Sequence, residues 1–330
     1  MFKISTNPHI QTSRTTQKLM LDVVIALMPA AIAAVLFFGI DALRVILTSV
    51  ASCLFFEYAA CRLWLKKQTT TNDYSALITG ILLAYNLPSS MPCWMILIGA
   101  FMAIIVAKIC FGGLGKNIFN PALVGRVFLF ISFPVQMTSW PNPYLGHLFS
   151  PDGQTGATTL RMIKSIGNSA ASSIQMFSLD ELPSYWRMFF GNTGGCIGEV
   201  STFAILLGFT YMLYRGVIKW QIPVYYVTTV FVLTSAFYLI TGDFRFLPLA
   251  NLLSGGLMLG AIFMATDYTT SPMTIKGQIV FSIGCGILTF VIRSFSAYPE
   301  GVSFAILIMN AFVPLIDRYA VQRYFGEKKQ

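Results

Sequence analysis

The residues best suited to chemistry stand in one polar string, Asp152-Gly-Gln-Thr155-Gly156-Ala157-Thr158. Gly156 and Ala157 keep the backbone uncrowded, which lets the Thr158 hydroxyl meet an incoming group. Asp152 and Thr155 can orient the turn or hold a metal-bound phosphate. An ordinary loop rich in glycine and threonine has the same composition, so the residues alone leave both readings open. A second set lies inside apolar runs: Glu57, Lys108, Arg126 and Asp267, with Asn120 opening Asn120-Pro121-Ala122. An ionisable group in such a run is costly and therefore a functional candidate by default. Glu57 and Arg62, five apart, do not pair along one helix, whereas Lys18 and Asp22 at i, i+4 suit a structural pair. Asp267 suits either a helix cap or a functional carboxylate.

The glycine-rich string 112–117 lacks the GxxxxGK[ST] spacing and follows no soluble strand, so phosphate-loop and dinucleotide readings fail. Its glycines are expected to permit close helix packing. The six cysteines are scattered singly, without CxxC or a histidine cluster, and read as small core residues.

The elements that must position these groups follow from composition. The chain has 330 residues, of which 55% are hydrophobic and 11% charged, against about 25% charged in a soluble domain. Mean hydropathy is +0.69. A soluble enzyme, a disordered chain and a nucleic-acid module are excluded, despite a net charge of +9. Ten apolar runs are long enough to cross a membrane as helices: 19–40, 42–64, 75–91, 93–110, 119–137, 196–214, 222–240, 249–266, 278–295 and 302–317. They are continuously apolar, unlike the alternating strands of a barrel. The first run is too long for a signal-peptide core, so no removed signal is expected.

With both termini cytoplasmic, 15 basic residues fall at the inner face and six outside, as the positive-inside rule requires. The organisation expected is a cytoplasmic arm 1–18, five spans in 19–137, an external loop 138–195, five spans in 196–317 and a cytoplasmic tail 318–330. The loop, 58 residues long, carries the Thr158 string; a connection of that length tends to be functional.

Five spans on each side of the loop suggest a repeat. The third run ends Ala84-Tyr-Asn86-Leu-Pro-Ser-Ser90-Met-Pro92, and the eighth ends Ala265-Thr-Asp267-Tyr-Thr-Thr-Ser271-Pro272. Each passes from small and apolar residues to a carboxamide or carboxylate, then to a Ser/Thr-rich turn closed by Pro. An odd number of spans per half makes the halves inverted, with Asn86 and Asp267 near opposite faces.

Asp-x-x-Thr-Gly-Ala-Thr resembles the flavinylation signature, whose last Thr takes FMN through a phosphoester. Lys108-Ile-Cys-Phe-Gly-Gly-Leu-Gly-Lys-Asn117-Ile-Phe-Asn120-Pro121-Ala122-Leu-Val-Gly125, Phe263-Met-Ala-Thr-Asp267-Tyr-Thr-Thr-Ser-Pro272 and Asn7-Pro-His9 are similar to segments of one family. It comprises the D subunits of the Rnf ion-translocating ferredoxin:NAD+ oxidoreductase and the B subunits of the Na+-translocating NADH:quinone oxidoreductase. The modest length and short arm favour the Rnf branch; the quinone-reducing branch, or a channel or solute carrier of the same fold, is the alternative. The resemblance implies an all-α membrane fold of two inverted five-helix repeats, like urea transporters, in the bacterial cytoplasmic membrane. It implies FMN on Thr158, supported by Asp152, Thr155, Gly156 and Ala157, and a noncovalent riboflavin. It also implies Na+ or H+ as transported ion, and the A, B, C, E and G subunits as partners, with no nucleic acid. Arg161 and Lys164 are expected to screen the phosphodiester.

Overall fold

The computed structural model describes residues 15–64, 66, 71–143, 155–169, 182–296 and 300–320. Helix α1 runs over Thr16–Ala59, 44 residues, which at about 1.5 Å per residue is twice the thickness of a bilayer core. It is broken at Gly39, with φ 62° and ψ −143°, a region that essentially only glycine occupies. Each half is then the length of one span, in line with the runs 19–40 and 42–64, and a π-helical turn Ala60–Trp64 ends the second.

Among the described residues, four helical stretches are long and apolar enough to cross a membrane: Thr16–Trp64, Gln221–Thr241, Ile275–Phe295 and Val302–Tyr319. Between them lie shorter apolar helices. These are α2 (Ser75–Tyr85), α3 (Cys93–Phe101, continued as a π-helix to Ile109), α4 (Pro121–Ser132) and the single turn α5 (Pro134–Met137). Beyond the polar region come α8 (Thr202–Tyr214), α9 (Gln221–Thr241), α10 (Pro248–Leu253), α11 (Leu257–Leu259, continued as a π-helix to Met264), α12 (Ile275–Phe295) and α13 (Val302–Tyr319).

The apolar runs are thus longer than their helices, for local reasons. α2 stops at Asn86 because Pro88 bars helical backbone at Leu87. The Asn86 amide then donates to the Leu82 carbonyl at 2.6 Å, satisfying a group that the helix end leaves open. α4 begins one residue after Asn120, whose Oδ1 accepts from the amides of Ala122 and Leu123, with Pro121 at the first helical position. Run 249–266 is interrupted at Gly255 and Gly256, with φ of 71° and 65°.

Within the expected loop 138–195, the described part holds structure. Strand β1 (Trp140–Pro141) pairs antiparallel with β2 (Thr155–Gly156), Trp140 opposite Gly156 and Pro141 opposite Thr155. Helices α6 (Thr159–Ser169) and α7 (Tyr185–Phe190) follow.

Small residues let the helices approach closely, as packing in lipid favours. A Cβ on Gly80 would stand 2.8 Å from the Val50 Cα, and one on Gly208 2.2 Å from the Ala26 carbonyl oxygen. The string 112–117 works otherwise. Gly113 and Gly115 have φ of 93° and 87° and nothing within 4 Å of an added Cβ, so they shape the turn and pack no helix. Asp22 pairs with Arg215 at 3.2 Å and accepts from the Tyr211 hydroxyl at 3.1 Å, tying α1 to α8. A long guanidinium from the facing helix reaches this carboxylate across the helix gap.

Candidate functional site

Thr158 follows the strand pair of β1 with β2. A Cβ at Gly156 would lie 2.1 Å from the Asn142 Oδ1, so that side chain would have to turn aside. The backbone is therefore closely approached at this glycine. Thr158 is 5% exposed, buried rather than presented to solvent. Its Oγ1 accepts from the Arg161 amide at 3.3 Å, and its carbonyl accepts from the Met162 amide at 3.0 Å. Thr158 is the residue that caps the N-terminus of α6. Thr159, also 5% exposed, is the first residue inside the helix. Asp152 and the side chain of Thr155 lie outside the described residues.

Helix α6 is held against the membrane helices. A Cβ on Gly255 would lie 2.1 Å from Leu160 Cδ1, so α6 sits directly on the α10–α11 break. Lys164 Nζ donates to the carbonyls of Arg293, at 3.3 Å, and Ser296. Burial, with Arg245 close by, holds its ammonium below the usual lysine range. Lys164 thus anchors α6 to the end of α12, while Arg161 is exposed on the first turn. Of the two cations expected at the phosphodiester, only Arg161 is left for it.

The intramembrane candidates fall into two groups. Glu57 pairs with Lys108 at 2.8 Å, and Lys108 also donates to the Ser75 hydroxyl at 2.7 Å. Both side chains are at most 3% exposed, and the pair joins α1, α2 and the end of α3. Removing one member of such a pair strands a buried charge. Beside it a cavity of about 90 Å³, room for several waters, is lined by Ser75, Lys108, Asn117, Asn120, Asp267 and Thr269, among others. Asp267 Oδ2 accepts from the hydroxyls of Thr269 at 3.1 Å and Thr270 at 3.3 Å, a capping arrangement at the end of the α11 segment. Asn120 Nδ2 donates to the Met264 carbonyl at 3.2 Å.

The second group gathers at the other end of α2. Arg126 donates to the Asn86 Oδ1 at 2.7 Å and to the Cys196 sulfur at 3.6 Å, and its Nη2 pairs with Glu300. The Cys196 sulfur, Glu199 and Glu300 present atoms within 4.8 Å of one another. Sequence reasoning singles out Arg126 but misses Cys196, Glu199 and Glu300. Their one signal is a carboxylate at the lip of an apolar run, in Gly198-Glu199 and Glu300-Gly301. Asn86, named only as a repeat end, proves to be the hinge of this cluster.

The two half-helices therefore lie alongside each other. Ser75, at the start of α2, shares a cavity with Asp267, at the end of the α11 segment. Asn86, at the end of α2, reaches the Met264 sulfur at 3.7 Å and Arg126.

The sequence profile of the NQR2, RnfD, RnfE family matches residues 3–326. The chain is 42% identical over 328 residues to the D subunit of the Na(+)-translocating ferredoxin:NAD(+) oxidoreductase complex of Acetobacterium woodii, covering 99% of this chain and 96% of that one. It is 44% identical over 329 residues to the D subunit of the proton-translocating ferredoxin:NAD(+) oxidoreductase complex of Clostridium ljungdahlii, covering 100% and 97%. It is 38% identical over 353 residues to the D subunit of the ion-translocating oxidoreductase complex of Salmonella arizonae, covering 100% and 99%.

Proposed function

The chain belongs to the NQR2, RnfD, RnfE family, and on that premise we propose that it is the flavin-carrying membrane subunit of an ion-translocating complex. The complex couples ferredoxin:NAD+ oxidoreduction to movement of Na+ or H+. The chain offers no complete reaction centre among its described residues; its work is to hold a redox group and to form part of the ion path.

The observation that carries the reading is the position of Thr158 as the cap of α6, an 11-residue helix. A phosphate esterified there meets the open amides of the first turn and the positive end of the helix dipole. Arg161 adds a cation on the same turn. The charge of a phosphodiester, about −1, suits this place. The residues present thus fit a phosphoester-linked FMN. Because Thr158 is 5% exposed, the group must be attached while the turn is open, during assembly.

Bound flavin supplies transfer of electrons one at a time. The protein tethers it through Thr158 Oγ1, orients the phosphate with the amides of α6, and fixes α6 through Leu160 and Lys164. In this reading the turn lies on the outer side of the bacterial cytoplasmic membrane, both termini lie inside, and the partners are the A, B, C, E and G subunits. The half-helices ending at Asn86 and Asp267 are counterparts in inverted repeats of five spans. Noncovalent riboflavin is a further cofactor of the reading.

The test is the chain expressed with a flavin transferase and run on a denaturing gel. Wild type fluoresces under ultraviolet light, Thr158→Ala abolishes the band, and Thr159→Ala keeps it. A fluorescent Thr158→Ala chain would refute the assignment.

A further inference from the structure

The Arg126 cluster holds two carboxylates and a thiol, and the ion-translocating reading gives none of the three acceptors a task. Glu300 is 7% exposed and paired with Arg126; Cys196 is 1% exposed. Glu199 Oε1 accepts from the Cys196 amide at 3.0 Å. Its other oxygen, Oε2, is sealed from solvent and receives no hydrogen bond. That oxygen is walled closely: an added Cβ on Gly256 would lie 3.0 Å from it and 3.9 Å from Arg126 Nη1. A buried carboxylate oxygen without a donor is costly, and a second carboxylate nearby adds to the cost.

The cations packed around it do not fill the gap. Arg126 turns Nη1 to Asn86 and Nη2 to Cys196 and Glu300, and makes no hydrogen bond to Glu199 Oε2. Arg293 turns Nη1 and Nη2 to the carbonyls of Asn251, Ser254 and Gly255, and its buried Nε makes no hydrogen bond, to Glu199 or to any other group. The Cys196 thiol donates to the Asn86 carbonyl at 3.5 Å and leaves Glu199 Oε2 untouched. What remains is the open Glu199 Oε2, a hard oxygen ligand, on a carboxylate that comes within 4.8 Å of a Glu300 oxygen and the Cys196 sulfur.

We propose that Glu199, with Glu300 beside it, is an exchangeable monovalent-cation site that takes a proton or Na+ next to the fixed guanidinium of Arg126. The inference deepens the ion-translocating reading and rests on it for the identity of the ion, but not on the flavin at Thr158. Its placement gives it consequence. The site joins the end of α2 (Asn86), the middle of α4 (Arg126), the approach to α8 (Cys196 and Glu199) and the start of α13 (Glu300). It also lies under the acceptor turn, whose Ala157 carbonyl would sit 3.9 Å from a Cβ on Gly194, two residues before Cys196. A proton on Glu199 supplies the donor that Oε2 lacks; Na+ supplies a positive ligand in its place. Glu300 keeps Arg126 from collapsing onto Glu199 and closing the site.

The experiment uses the full chain in its purified complex, with infrared difference spectra recorded as pH is stepped in choline chloride and again in NaCl. Wild type shows a carboxyl band that is lost reversibly as pH rises. Glu199→Gln removes that band, Glu199→Asp retains it with a displaced midpoint, and Asp267→Asn and Thr158→Ala leave it in place. If Na+ takes the same site, each tenfold rise in NaCl moves the midpoint down by about one pH unit; an unmoved midpoint assigns the site to protons alone. Glu300→Gln also removes the band, because Arg126 is released onto Glu199. A wild-type complex without a titrating band, or a band that survives in an assembled Glu199→Gln complex, overturns the proposal. Loss of flavin fluorescence with the band intact counts against the flavin assignment alone.

Discussion

At the scale of single residues, the acceptor turn depends on one missing side chain as much as on one hydroxyl. Gly156 faces Asn142 so closely that a methyl group would stand 2.1 Å from its Oδ1, and the Asn142 side chain must turn away to make room. Gly156→Ala is expected to reduce flavin incorporation several-fold, read as band fluorescence per unit of chain. Asn142→Ala in the same background removes the clashing atom and restores most of it. If the double variant stays dark while the chain assembles normally, Gly156 serves recognition by the transferase and not the fit of the turn. The order Gly-Ala-Thr marks this hydroxyl as the expected acceptor only through its resemblance to the flavinylation signature. Its burial was not legible in the sequence, because it arises from α6 packing on Gly255, nearly a hundred positions further along the chain.

At the scale of elements, the breaks matter more than the helices. Gly39 adopts φ 62° and ψ −143° within α1, where a residue with a Cβ is strained by roughly 1–3 kcal/mol. Gly39→Ala should lower the thermal midpoint of the chain in detergent by several degrees. An unchanged midpoint means that the kink relaxes freely and does not divide α1. The sequence marked the two apolar halves of α1 through their lengths, and the stop of α2 through Asn86 and Pro88. It overestimated α4, α8 and the α10–α11 region, since hydropathy cannot register a backbone that leaves the helix while staying buried. The same limit hid Glu199 and Glu300. They stand in short non-helical approaches to α8 and α13, and only the fold brings them to Arg126. Glu57 was named from its apolar setting, yet its partner Lys108, 51 positions away, became visible only with α1 against the end of α3.

At the scale of the whole molecule, the bias of 15 basic residues to six sets the expected orientation. In a background with all six native cysteines replaced, a cysteine at residue 150 should react with an impermeant thiol reagent in intact cells, and one at residue 70 should not. The opposite pattern would put the acceptor turn in the cytoplasm. That outcome would remove it from the outer side, where the reading places the flavin. The half-helix ends give this orientation its meaning. One carries Asn86 to Arg126 and the Glu199–Glu300 site, and the other carries Asp267 to the cavity near Lys108.

The central claim, that Thr158 carries the flavin, is tested most directly by mass spectrometry of the chain made in a host with its flavin transferase. The intact chain should be heavier than its sequence by one FMN less one water, and fragmentation should place that mass on Thr158. An unmodified chain, or the flavin found on Thr155, Thr159 or any other residue, would contradict the account.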